Sequence, residues 1–392
     1  MAPSMKRPAK KRTETLKSDQ LTFLKRKEGR WALSLDGDFG RGSGVRQGEY
    51  RFDPSSGRLS SSSGRVLGHL LVRPLGPLPD CPTADDTFLS HVLSVTSSEI
   101  MEEIQNKENA GAFFVLPSQM NAAESPDCAD KAIVTDVDDY RYDRTAGPRG
   151  QLAAHLACAQ FLLDNAKSSI RPTGLDALSR LLPALRKGEA SSEAKDFLNN
   201  LEVKNGYLMV PELEGDEAKT ALPDVTSRLQ AQLSKLRTLA MCEVPATGLA
   251  PSLKEWSKCR HHVNLIYASA VPVNAYSNTT ESLENLRLQR AVAALLLRGA
   301  YFGALKLALE TATSRSKRKK IFLLPLGGGV FNNPFKDIAK AIVEALHMAS
   351  ALCPEGVKLE EVLDIRVLTW KGKAEEAERF KHLLKELGQD VS

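Results

Sequence analysis

Apolar positions along the chain fall into two periods, and their alternation predicts an α/β protein. Val66–Val72 reads as a strand, and Ala112–Leu116 is a short, wholly apolar run of the kind that suits burial on both faces. Between them, Thr87–Gln105 carries Phe88, Val92, Leu93, Ile100 and Ile104 at helical spacing, with Asp85 and Asp86 as candidate caps. Gln151–Asn165, Asp176–Arg186 and Ser191–Leu201 read as helices, Tyr207–Val210 as a short apolar run, and the region near Val225–Met241 as a further helix. The second half is clearer: strand His262–Val273, long helix Ser282–Thr313, strand Lys320–Leu326, helix Lys336–Ala351, strand Leu363–Trp370 and helix Ala374–Leu387. Strands separated by helices imply a mostly parallel sheet covered on both faces. Ligands of such sheets sit outside the carboxyl ends of the strands, so the residues that follow each strand are the informative ones.

At 392 residues the chain exceeds one typical domain, which implies two domains or one with insertions. Residues 1–30 read as a basic, disordered tail in which Lys6, Arg7, Lys10, Lys11 and Arg12 cluster, either a nuclear-localisation patch or a solvated end. Residues 31–65 read as a small appendage or linker, with Trp31, Leu33 and Leu35 alternating and a serine stretch at Ser60–Ser63. The main domain is expected over 66–392, interrupted by a helical insertion at about 167–260.

Composition narrows the class. Apolar residues make up 42% and charged residues 26%, ordinary for a globular protein able to form a normal core. The net charge of +5 gives little support to a nucleic-acid groove, because part of it lies in the tail. No run of membrane-spanning length and no secretory h-region is read, so a soluble cytoplasmic or nuclear protein is expected, with no membrane partner. Cys81, Cys128, Cys158, Cys242, Cys259 and Cys353 lack paired spacing, which suits reduced thiols rather than disulfides or a metal site. No cofactor is implied.

Four segments that follow strands carry candidate chemistry. The first is Gly327-Gly328-Gly329-Val330-Phe331-Asn332, between a strand and a helix. Glycines allow positive φ, which turns backbone N–H groups toward one point, and the helix start adds orphan donors and partial positive charge. A phosphate or pyrophosphate is the natural occupant; the alternative is a flexible turn. No Lys-Ser/Thr follows the glycines, so the Walker pattern of nucleotide hydrolysis is absent, and the dinucleotide fingerprint fails on spacing. The second segment places Asn121, followed by Ala122 and Ala123, after the strand at Ala112, where its carboxamide could orient a sugar. The third runs from Asp136 through Asp138, Asp139 and Asp143 to Gly147, Arg149, Gly150 and Gln151 at a helix start. It is either a solvated acidic loop or a place where carboxylates meet a ligand hydroxyl or water while the glycines and Arg149 face a phosphate. The fourth, Ala270-Val271-Pro272, would make a close wall for a flat ligand. His261 and His262 precede their strand and so read as structural.

In this order the pieces resemble the macrodomain plan. Asn121-Ala122-Ala123-Glu124 is similar to its Asn-Ala-Ala-Asn segment, with Glu124 departing at the last position. Thr145–Gln151 stands where the family has its glycine-rich diphosphate loop, with Pro148 and Arg149 where glycines are usual. Ala270-Val271-Pro272 resembles the Val-Gly-Pro-like turn, and Lys320–Asn333 resembles the second phosphate loop, with Phe331 in the place of the aromatic that contacts the distal ribose. The resemblance covers roughly Val66 to Leu387 and implies a three-layer α/β/α macrodomain-like fold. The Asp-rich run looks more like the divergent group that includes the Legionella effector MavL and its eukaryotic relatives. That likeness implies an ADP-ribosyl hydrolase removing mono-ADP-ribose from protein arginine, with ADP-ribosylated ubiquitin among its substrates. The competing reading is a module that binds ADP-ribose without cleaving it. Under the first, Asp139, Asp143 and Asn121 are the catalytic candidates. Gly147, Arg149, Gly150, Gln151, Val271, Gly327, Gly328, Gly329, Val330, Phe331 and Asn332 would bind ADP-ribose.

Overall fold

A computed structural model describes residues 50–53, 58–61, 64, 66–79, 93–120, 177–204, 206–246, 261–273, 282–312, 318–369, 372–389 and 391. Eleven strands are described: β1 Tyr50–Asp53, β2 Arg58–Ser61, β3 Val66–Pro74, β4 Leu93–Ser97, β5 Phe113–Pro117, β6 Glu202–Lys204, β7 Tyr207–Met209, β8 Arg237–Pro245, β9 His262–Ala268, β10 Lys319–Leu323 and β11 Leu363–Thr369. The described helices are α1 Ile100–Gln105, α2 Leu181–Leu185, α3 Ser192–Asn200, α4 Gly215–Gln232, α5 Leu283–Thr311, α6 Phe335–Ser350, α7 Leu359–Val362 and α8 Ala374–Glu386.

Nine strands form one sheet in the order β1-β2-β3-β8-β9-β5-β10-β11-β4, and β6 with β7 makes a separate hairpin. From β9 to β4 every pairing is parallel, whereas β1, β2, β3 and β8 extend the sheet antiparallel from β9. The fold is mixed α/β with a parallel central block. β5 lies inside that block between β9 and β10, and Phe113, Phe114, Val115 and Leu116 are all buried, as expected of a strand covered on both faces. The Phe114 and Phe322 rings stack across β5 and β10 with centroids 4.6 Å apart.

Two segments differ from the helices that their spacing predicts. Within Thr87–Gln105, Leu93–Ser97 is a strand at the sheet edge and only Ile100–Gln105 is helical; Asp85 and Asp86 lie outside the described residues. Leu93 and Val95 alternate into the core while the strand pairs with β11, and a window spanning strand and helix together imitates one helical period. Near Val225–Met241, helix α4 stops at Gln232 and β8 begins at Arg237, pairing with both β3 and β9. Leu239, Ala240 and Met241 are consecutive and buried, a pattern that periodicity does not separate from a buried helix. The stretch at about 167–260 therefore contains a strand of the main sheet besides α2, α3 and α4. Likewise Ser60 and Ser61 are strand residues in β2, annealed to β3 through the main sheet.

Contrary to the expectation of no run of spanning length, α5 is long and apolar enough to cross a membrane by length and composition, with a window of mean hydropathy 1.6. Within the fold 72% of that window is buried, and α4, α6 and the sheet pack around it. A helix apolar on all sides is what a central position in the core requires. Ser282 caps its start by accepting the Asn285 N–H at 3.1 Å. Asn285 in turn accepts the Leu213 N–H at 3.2 Å, which ties the chain before α4 to the head of α5.

Candidate ligand site

The carboxyl ends of β9, β5 and β10 lie side by side, and the loops that follow β9 and β10 are stitched together. The buried Asn333 side chain donates to the Val271 carbonyl at 2.9 Å, and the Val273 N–H donates to the Phe331 carbonyl at 2.9 Å. Val271 itself is fully buried, so its carbonyl anchors the glycine loop while its side chain joins the core. Tyr301 of α5 fixes the start of the loop. Its hydroxyl donates to the Leu324 carbonyl at 2.7 Å and accepts the Leu326 N–H at 2.9 Å. Burial pushes that phenol well above its ordinary pKa, so it stays a neutral donor.

The three glycines play different parts. Gly327 has φ +76, and a Cβ there would lie 2.5 Å from both Ala270 Cβ and Asn333 Nδ2. Glycine is what lets the two loops touch. At Gly328 a Cβ would meet Phe335 Cε1 at 2.9 Å and Ile338 Cδ1 at 3.2 Å, so the loop lies tight against the first turns of α6. Gly329 faces open space and has no positive φ. Of the three glycines only Gly327 takes the positive φ that glycine allows; the second left-handed residue of the loop is Asn332, φ 55, whose N–H closes a turn onto the Gly329 carbonyl at 3.0 Å. Val330 stands at the tip, 76% exposed.

Backbone donors remain. Among the described residues, the N–H groups of Gly327, Gly329 and Val330 have no hydrogen-bond acceptor, nor do those of Phe335 and Lys336 in the first turn of α6. Pro334 occupies the N-cap and supplies no side-chain acceptor. Asp337, in the same turn, is held by a two-pronged bond from Arg290: Nε to Oδ2 at 2.8 Å and the guanidinium NH2 to Oδ1 at 3.0 Å. That bond also raises the Arg290 pKa, chiefly through the hydrogen bond to Asp337. The Asp337 carboxylate in the first turn is therefore charge-paired.

A residue that periodicity did not single out completes the wall. Tyr207, at the start of β7, sets its ring edge-on to Phe331 with centroids 5.0 Å apart and planes at 82°. The Gly206 carbonyl accepts the Met120 N–H at 2.7 Å, which brings the β6–β7 hairpin onto the end of β5. The sequence signal was only the short apolar run at Tyr207–Val210.

Of the site residues expected from sequence, Val271 and Gly327 to Asn332 are brought together on two adjoining loops. Asn121, Asp139, Asp143, Gly147, Arg149, Gly150 and Gln151 lie outside the described residues, as does the helix expected at Gln151–Asn165. His261 is buried and its Nε2 bonds the Ile104 carbonyl at 3.0 Å, a structural contact at the far edge of the sheet. Burial pushes the Cys242 thiol up to about 11 and raises that of Cys353, so neither is an activated nucleophile.

Fold and site together define an α/β protein with loop amides that lack an acceptor among the described residues, beside a helix start at the carboxyl ends of parallel strands. No protein-family model matches the sequence, and no curated protein sequence matches it. Among solved structures the chain is similar to a macrodomain mutant of Oceanobacillus iheyensis with ADPR, at 11% identity over 75% of this chain and 92% of that one, TM-score 0.32. It is also similar to the Oceanobacillus iheyensis macrodomain with MES bound, at 9% identity over 81% and 95%, TM-score 0.31. A third similar structure is the poly(ADP-ribose) glycohydrolase of Thermomonospora curvata bound to the inhibitor ADP-HPD, at 14% identity over 84% and 93%, TM-score 0.35.

Proposed function

We propose that this chain binds ADP-ribose in a macrodomain-like cleft and removes mono-ADP-ribose from protein arginine, with ADP-ribosylated ubiquitin as the candidate substrate. The observation that carries the reading is the cradle: uncommitted amides at Gly327, Gly329 and Val330 adjoin the uncommitted amides that open α6. Backbone donors at a helix start suit a pyrophosphate because it accepts from several N–H groups at once. In this reading Gly327–Phe331 and Gly147–Gln151 grip the diphosphate from two helix starts, Arg149 neutralises phosphate charge, Val271 backs the wall and Phe331 meets the distal ribose. The ADP-ribose named in the first solved structure above is of the same ligand class.

Hydrolysis forms a bond from a water oxygen to the anomeric carbon and breaks the bond from that carbon to the arginine guanidine nitrogen. The transition state is oxocarbenium-like, so it gains from a fixed diphosphate, an oriented ribose and a nearby carboxylate. Asp139 and Asp143 are the candidates to accept the water proton or bind ribose hydroxyls, while Asn121 orients the sugar; the leaving guanidine takes up a proton. In sequence Asn121 follows Pro117, the last residue of β5, by four positions. The cradle itself supports holding ADP-ribose more directly than cleaving it, which favours a non-catalytic reader as the second reading.

The test is incubation with peptides mono-ADP-ribosylated on arginine or on glutamate, followed by mass spectrometry. Release from arginine peptides supports the hydrolase, and binding without release supports the reader. Asp139→Ala and Asp143→Ala should each slow release by about 10²–10⁴. Turnover at the wild-type rate in both would remove the two carboxylates from the mechanism.

A further inference from the structure

We propose that Tyr207 is a positioning residue: it sets the ring of Phe331 and so gives the site its preference for ADP-ribose over ADP. The ligand half of this rests on the ADP-ribose reading above; the ring contact does not.

The hairpin that carries Tyr207 has strands of three residues each, paired Glu202↔Met209, Val203↔Leu208 and Lys204↔Tyr207. An isolated two-stranded hairpin is marginal in water, so it takes its position from what it docks on. Three contacts dock it. The Gly206 carbonyl accepts the Met120 N–H at 2.7 Å. Gly206 has φ +76, and a Cβ there would fall 2.7 Å from Gln119 Cδ, so the turn presses on the buried Gln119 side chain. Leu208 is buried in the core, and alternation along the strand then sends Tyr207 to the opposite face, toward the glycine loop. The hairpin is thereby fixed to the end of β5 and reaches across to the loop after β10.

Phe331 is held from two directions. Its carbonyl accepts from the Val273 N–H at 2.9 Å and from Asn333 Nδ2 at 3.3 Å, which fixes its backbone. The half-buried side chain also packs against the core. Beside that packing, the edge-to-face contact with Tyr207 at 5.0 Å restrains how the ring lies. Substituting Tyr207 therefore loosens the ring without loosening the loop. Only a ligand group that reaches the ring feels the change. The diphosphate, on backbone amides, does not. ADP-ribose has a sugar beyond its diphosphate and ADP has none, so the two ligands separate the effects.

The experiment uses full-length protein labelled with 4-fluorophenylalanine, with the Phe331 resonance assigned by its loss in Phe331→Leu. Tyr207→Leu should move that resonance toward its solvent-exposed value in the ligand-free protein, and Tyr207→Phe should leave it in place. Calorimetry should show ADP-ribose binding weakened about three- to tenfold in Tyr207→Leu, the scale of one aromatic pair. ADP binding should be unchanged, and Tyr207→Phe should restore ADP-ribose binding. An unmoved fluorine resonance, or equal weakening of ADP and ADP-ribose, overturns the proposal. If wild-type protein binds neither ligand, the ADP-ribose reading fails and the selectivity with it. The fluorine shift then still decides whether Tyr207 sets the ring.

Discussion

Gly327 and Gly329 answer one substitution in opposite ways. Alanine at Gly327 meets a left-handed φ of +76 and two atoms at 2.5 Å, Ala270 Cβ and Asn333 Nδ2, neither of them the end of a long flexible chain. Gly327→Ala should cost about 1–3 kcal/mol of stability, the scale of backbone strain at such a position. Gly329 has open space and an ordinary φ, so Gly329→Ala should fall between neutral and about 1 kcal/mol stabilising through reduced freedom of the unfolded chain. Urea unfolding of the two variants measures both, and equal stabilities would mean that the loops do not interlock at Gly327. The sequence marked the triplet as a cradle without ranking its members. That ranking needs the neighbours Ala270, Asn333 and Phe335, which other segments bring in.

Between elements, one hydroxyl joins the long helix to the cradle. Tyr301 is fully buried on α5 and bonds both the Leu324 carbonyl and the Leu326 N–H. Tyr301→Phe keeps the ring but removes two hydrogen bonds, leaving the Leu326 N–H and the Leu324 carbonyl with only the bond they make to each other at 2.8 Å, at a cost of about 0.5–1.5 kcal/mol. Its urea midpoint should fall accordingly, whereas an unchanged midpoint would remove the hydroxyl from the account. Elements with uninterrupted patterns were legible from sequence: β5, β10, α5 and α6 fall within a residue or a few of their expected limits. β4 and β8 were not, because a strand next to a helix yields one blended period and a doubly buried strand shows no alternation. Half of the site was legible by the same logic: the loop after β10 announces itself by composition. Tyr207 belongs to a short hairpin distant in sequence, and only its docking on Met120 and Gln119 makes it part of the wall.

For the molecule as a whole, pH acts through a buried histidine. His347 on α6 has its pKa lowered, first by burial and against the opposing pull of Glu344. Among the described residues its Nε2 has no hydrogen-bond partner; Arg298, from α5, pairs with the same Glu344 at 3.4 Å, and Lys340 reaches it from the preceding turn at 3.8 Å. The unfolded chain, with an ordinary value of 6.5, takes up the proton more readily than the fold does. Stability should therefore fall as pH drops through 6.5 and level off below the depressed folded value, and His347→Gln should flatten that part of the profile in thermal melts. A profile identical to wild type would rule the residue out. The claim at the centre of the account is that loop amides hold the diphosphate. The direct measurement is an ADP-ribose titration of protein labelled with ¹⁵N at glycine and valine. The Gly329 and Val330 amide resonances should shift and saturate together with ligand binding. Ligand bound while both resonances stay fixed, or no binding at all, would contradict it.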